Sequence, residues 1–167
     1  RVGRIVIDSF EDIVRIADAA ARAGIVQPVP IRVTVGVEAH THEFIATGQD
    51  DSKFGFNLAN GDALRAVDHA RRSEAMELVG LHCHIGSNVF DASSFAKAAE
   101  VMADFAVPLD LPELILGGGL GVAYVEGEEA PSINRWGSVL LDACEALGVR
   151  SRVSVEPGRA IVASAAV

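Results

Sequence analysis

Two histidines stand two residues apart in GLHCHIGSNVFD, residues 80–91, and the small polar pair Gly86-Ser87 follows them. Residues i and i+2 of a strand share a face, so His82 and His84 point one way and Cys83 the other. Two further groups carry chemistry: Gly117-Gly118-Gly119-Leu120-Gly121, and Glu156-Pro157-Gly158-Arg159. Glycines without Cβ atoms let backbone N–H groups approach an anion, usually a phosphate, although a Gly cluster also serves as a plain tight turn. Pro157 stiffens the backbone after Glu156. An inward carboxylate needs a partner. Here that partner is either a protonated ring nitrogen or the planar fork of Arg159 in a structural pair. The histidines fit a metal site, a ring-stacking role for one of them, or simple core packing for His82. No His follows His84 to complete a metal set, and outside the helical pattern at 61–73, which holds His69, the spare imidazoles are His40 and His42.

The elements that position these groups read as alternating strands and helices. Residues 4–9, 28–35, 77–85, 113–119 and 152–158 form short apolar runs, and AIVASAAV at the end is a candidate sixth strand. Helical patterns fall between them. One is capped by Ser9, with Ile13, Ile16, Ala17 and Ala20 as its apolar face and Gly24 as its stop. Others cover 61–73, Ser93 to about Ala106, and 132–147 ending at Gly148. The 21-residue stretch 36–56 reads as a polar segment, long for a loop. The alternation predicts an α/β fold with a parallel sheet. All three polar groups then lie at the C-terminal ends of successive strands, where such folds place their sites. A closed (β/α)8 barrel needs roughly 250 residues. The 167 residues present therefore predict one segment, either an open sheet or part of a TIM-type barrel. A half barrel leaves two open edges and an unclosed apolar interior, which predicts self-association of the chain alone.

Composition narrows the function classes. The net charge of −9 disfavours nucleic acid and anionic membrane surfaces as partners. No window of about 18 apolar residues suggests a membrane span. Arg1 opens directly into a strand pattern, so no signal peptide is expected, and the missing Met suggests a piece of a longer chain. Cys83 and Cys144 form no disulfide framework, and the default location is the reduced cytoplasm.

HCHIGS at 82–87, GGGLG at 117–121 and EPGR at 156–159, with AHTHEFIATG at 39–48 and SKFGF at 52–56, together resemble the diaminopimelate decarboxylases. These belong to the pyridoxal-phosphate enzymes with alanine-racemase-like barrels. LHCHIGS and GGGLGVAY fit that branch better than the related ornithine decarboxylases. The resemblance spans essentially the whole chain. It implies the latter half of a (β/α)8 barrel, with parallel strands alternating with helices, from a lyase of lysine biosynthesis converting meso-2,6-diaminopimelate to L-lysine and CO2. It also implies roles. His84 would stack on the pyridine ring. Ser87 and the backbone of Gly117, Gly118 and Gly119 would hold the phosphate. Glu156 would keep the ring nitrogen protonated, with Pro157 and Gly158 shaping that turn. Arg159 would lie at the phosphate and the substrate carboxylate. No metal is implied. One departure matters: the family anchors its cofactor on a lysine as a Schiff base, and the chain has only Lys53 and Lys97, neither at the matching position. The anchoring lysine and upstream strands, and the family's C-terminal β-domain that completes a homodimer, are therefore expected outside this chain, which alone would be inactive. The rival readings are a metal-dependent hydrolase using His82 and His84, and a non-catalytic half barrel that binds a phosphate-bearing ligand or a partner chain.

Overall fold

A computed structural model describes residues 2–37 and 54–165. Local signals set the first helix, α1 (Phe10–Ala23). The Ser9 hydroxyl accepts from the Asp12 N–H at 3.2 Å, which caps the helix, and the Asp12 carboxylate accepts from the Asp8 N–H at 3.3 Å, one residue before the cap. Gly24 closes the helix. The other elements are β1 (Gln27–Thr34), β2 (Phe56–Asn57), α2 (Asp62–Arg72), β3 (Met76–His82), α3 (Ala92–Ala106), β4 (Glu113–Ile115), α4 (Ile133–Ala146), β5 (Arg152–Ser154) and α5 (Gly158–Val162). The strands form one parallel sheet in the order β2-β1-β3-β4-β5.

Three sequence expectations change. The run 4–9 is not a full strand: only Ile7 bridges Ile31. Ile5 and Ile7 donate N–H groups to the carbonyls of Pro28 and Pro30, and Arg32 donates back to Ile7. Proline has no N–H to return, so two of the rungs are one-sided. The closing residues, read as a candidate strand, instead form α5 and a 3-10 turn at Ala163–Ala165. Pro157 turns the chain, and the Ala-rich run after it favours helix. Helix α3 starts at Ala92, one residue before the expected Ser93, and is capped by Asp91, whose carboxylate takes both the N–H and the hydroxyl of Ser93, at 2.8 and 2.7 Å.

The apolar core lies between sheet and helices. Val29, Ile31, Leu81, Cys83 and Leu114 meet Ala66 and Val67 of α2, Phe95 and Met102 of α3, and Trp136 and Leu140 of α4. The opposite face of the sheet was expected to be an unclosed apolar interior. It is largely polar. The buried Glu113 carboxylate accepts from the Ser154 hydroxyl at 2.6 Å and from Arg152 at 3.0 Å, and Arg4 pairs with its other oxygen. Arg32, the register partner of His82, pairs with Asp8 at 3.0 Å. Alternation along each strand explains the division: Leu81 and Cys83 face the helices, while His82 faces the polar side.

Candidate active site at the strand ends

The three polar motifs meet in space because the chain keeps hydrogen bonding after each strand ends. Cys83 N–H donates to Ile115, Leu116 N–H to Ser154, and Glu156 N–H to Gly117. The turn after His84 is zipped to the glycine loop: Val89 N–H donates to Gly119 and Gly121 N–H to Val89, both at 2.8 Å. The glycines themselves are demanded by backbone packing. A Cβ at Gly117, Gly118 or Gly119 would fall inside the carbonyl oxygens of Cys83, Glu156 and Gly86 respectively. Gly158 is different, since a Cβ there would meet open space. Its N–H donates back to the Glu156 carbonyl at 2.8 Å, which tightens the turn.

Two clusters of functional groups result. In the first, His82 is 6% exposed and its Nε2 lies 3.3 Å from Glu156 Oε2. His84 sits beside them, and its Nδ1 accepts from the Gly118 N–H at 3.3 Å. Burial holds the His84 imidazole below its ordinary pKa, helped by the positive charge of Arg32, so the ring is neutral at neutral pH. Glu156 is held below the ordinary glutamate range, chiefly by the hydrogen bond from His82, against an opposing push from partial burial. Its carboxylate therefore stays ionised and half exposed. In the second cluster the Arg159 guanidinium donates to the Ser87 hydroxyl and to the Tyr124 hydroxyl, each at 3.1 Å.

The possible structural pair between Glu156 and Arg159 does not form. Arg159 belongs to the first turn of α5 and leaves the chain toward Ser87, while Glu156 precedes Pro157 and turns to His82. Sequence reasoning brought Ser87, Gly119, Glu156 and Arg159 to one end of the sheet, and the structure gathers them there. It missed Tyr124, which lies on a loop without periodicity, and Arg32, whose signal was a lone charge inside the apolar run PVPIRVTV. It also assigned Glu156 no histidine partner. The metal reading finds no support: His82 and His84 turn to different partners, and the described residues contain no cluster of three ligating side chains. Lys97 is exposed on α3, whereas Lys53, His40, His42, the whole of the 39–48 motif and the first two residues of the 52–56 motif lie outside the described residues.

The donor set divides by charge. At one end a guanidinium and two hydroxyls converge, which suits an anion, while the Glu128 carboxylate nearby is engaged by the Tyr124 backbone N–H at 2.9 Å. At the other an ionised carboxylate faces outward beside a neutral flat ring, which suits a protonated heteroaromatic nitrogen. An anionic, flat, basic heterocycle such as pyridoxal phosphate fits both ends. Parallel strands with such a site at their C-terminal ends define part of a barrel that binds a phosphorylated cofactor. Residues 1–163 match the model of the pyridoxal-dependent decarboxylases, pyridoxal binding domain, and the chain belongs to that family. It is 47% identical over 171 residues to a diaminopimelate decarboxylase of Corynebacterium efficiens, covering 96% of this chain and 37% of the relative. It is 38% identical to that of Bacillus subtilis, covering 99% of this chain and 40% of the relative. The Helicobacter pylori diaminopimelate decarboxylase solved with L-lysine superposes with a TM-score of 0.83 at 32% identity, over 93% of this chain and 40% of that one. The M. jannaschii enzyme in complex with L-lysine superposes with a TM-score of 0.83 at 29% identity, over 95% of this chain and 38% of that one. The chain thus spans about two fifths of these relatives.

Proposed function

We propose that this chain is the C-terminal part of the cofactor-binding barrel of a diaminopimelate decarboxylase, releasing CO2 from meso-2,6-diaminopimelate to leave L-lysine. The observation that carries the reading is the separation of one donor-rich corner, where Arg159 joins the Ser87 and Tyr124 hydroxyls, from the ionised Glu156 within the same loop cluster. The identity to relatives of that name supports the choice of substrate. Pyridoxal phosphate, when bound, supplies an electron sink for the pair left behind as CO2 departs. The residues here would bind and orient it. Ser87, Arg159 and the backbone of Gly117, Gly118 and Gly119 would hold the phosphate. The neutral His84 ring would stack on the pyridine ring. Glu156 would hold a proton at the ring nitrogen, because a neighbouring carboxylate favours the protonated form. Pro157 and Gly158 set the turn that delivers both Glu156 and Arg159, and Arg159 also faces the substrate carboxylate.

The anchoring lysine, the remaining strands and a β-domain belong to other parts of the full-length protein, which works as a cytoplasmic homodimer. Without that lysine the 167 residues alone would be inactive. The test is to incubate the full-length protein with pyridoxal phosphate and meso-2,6-diaminopimelate, and to measure CO2 and lysine. Equimolar release of both is expected. Release of CO2 from ornithine or lysine in preference to diaminopimelate would overturn the substrate, and release from no amino acid would overturn the reading.

A further inference from the structure

We propose that His82 is a positioning residue for Glu156: its Nε2–H fixes one carboxylate oxygen and so presents the other to the ring nitrogen of the cofactor. This rests on the reading of Glu156 given above. The geometry of the pair is asymmetric. The donor is rigid, because His82 is the last residue of β3, paired on both sides, with a side chain only 7% exposed. The acceptor is not: Glu156 lies beyond the three-residue strand β5, and its side chain is 52% exposed. A long carboxylate half in water samples several rotamers unless something holds it. An ionised carboxylate only accepts, so the 3.3 Å contact between Nε2 and Oε2 places the proton on Nε2.

Other cations near the site are committed elsewhere. Arg32 pairs with Asp8 and lies over the Phe54 ring, and Arg159 spans Ser87 and Tyr124. His82 Nδ1 is buried with no hydrogen-bond partner among the described residues. A buried polar atom without a partner is costly, so packing alone disfavours a histidine here. The contact with Glu156 is the one the ring makes in return. Oε2 is taken, and among the described residues Oε1 has no partner and remains for a ligand.

The test uses the full-length protein. In the cofactor-free form, the carboxyl carbon of Glu156 is followed by NMR through a pH titration, with Glu156→Gln identifying the signal. His82→Leu removes the donor and should move the Glu156 midpoint upward, toward the ordinary glutamate range. His82→Gln, which keeps an N–H at similar reach, should bring it part of the way back. With cofactor and substrate, His82→Leu should lower kcat roughly ten- to a hundredfold, the scale of one lost hydrogen bond to a charge, while pyridoxal phosphate affinity stays within a few-fold. If His82→Leu does not fold, the shorter His82→Asn replaces it with the same expectation. An unmoved midpoint in a folded variant overturns the inference. Should the midpoint move while Glu156→Gln turns over like the parent, the positioning stands and the cofactor role of Glu156 falls.

Discussion

Gly119 is a point where two loops of the site press together, and replacing it with alanine, as with Gly117 or Gly118, should be costly in a way that replacing a glycine with open surroundings is not. Its φ is +98°, a conformation that L side chains rarely adopt. The added Cβ would sit 3.0 Å from the Gly86 carbonyl carbon, closer still to its oxygen, and 3.7 Å from His84 Cε1. The clash is with backbone atoms of Gly86, which cannot swing aside, and the His84 contact is an ordinary van der Waals one. Backbone strain costs about 1–2 kcal/mol, and overpacking against fixed atoms costs about 1–3 kcal/mol. Together they reach roughly 2–5 kcal/mol, a large share of the ~5–15 kcal/mol typical of a domain. Two comparison variants isolate the terms. Gly127 has φ +90° but no atom within 4 Å of a Cβ, so Gly127→Ala carries the strain alone. Gly137 lies inside α4 with open space around it, so Gly137→Ala should stabilise by about 0.5–1 kcal/mol. Thermal unfolding of the full-length protein should rank Gly137→Ala above the parent, then Gly127→Ala, then Gly119→Ala. Because the clash pushes the Gly86-Ser87 turn off the glycine loop, Gly119→Ala should also weaken pyridoxal phosphate binding. If Gly119→Ala unfolds with Gly127→Ala and binds the cofactor like the parent, the close approach of these loops is not what holds the site.

Glu156→Gln keeps the shape but removes the charge at the ring nitrogen, so decarboxylation should fall far more than cofactor affinity; turnover within a few-fold of the parent would refute this. Glu113 is pushed upward by burial, but hydrogen bonds from Ser154 and Arg152 and the charges of Arg4 and Arg152 outweigh that and leave it below the ordinary glutamate range. A lowered folded pKa gives stability that is present above the unfolded value and lost as pH falls through the folded one. Glu113→Gln should therefore lower the unfolding midpoint at pH 7, and the difference should fade as acid protonates the parent. Burial pushes the Cys83 thiol up to about 12, against the lowering charge of Arg32. Iodoacetamide at pH 8 should spare Cys83 in the native protein and label it after denaturation. The 167 residues expressed alone should self-associate, since edge strand β5 and the exposed Val155, Ile161 and Val162 have no cover among the described residues. A monodisperse monomer with a sharp melt in sedimentation and calorimetry would contradict that.

Features set by near neighbours in the chain were legible in the sequence. Ser9, Gly24 and Ser132 mark helix ends because a cap needs only residues three or four away. Features that depend on distant residues were not. The pairing of residues 4–9 is decided by Pro28 and Pro30 on the neighbouring strand. Strands read through to Ile85, Gly119 and Gly158 end earlier, where the glycine-rich ends pack closely against one another and keep only single hydrogen bonds. The motifs showed which residues carry chemistry, and strand order showed that they share one end. The partner of Glu156 is 74 residues away in sequence, and only the parallel register of β3, β4 and β5 brings it there. Choosing between Arg159 and His82 needed the direction in which α5 leaves the strand.

The claim that Ser87 and Arg159 form the phosphate corner while Glu156 faces the ring nitrogen is tested most directly by a crystal structure of the full-length protein with pyridoxal phosphate. The account predicts phosphate oxygens within hydrogen-bond distance of Ser87 Oγ, the Arg159 guanidinium and the glycine-loop backbone, with Glu156 at the ring nitrogen and the His84 ring against the pyridine face. Density for the phosphate away from Ser87 and Arg159, or a metal ion held between His82 and His84, would contradict it.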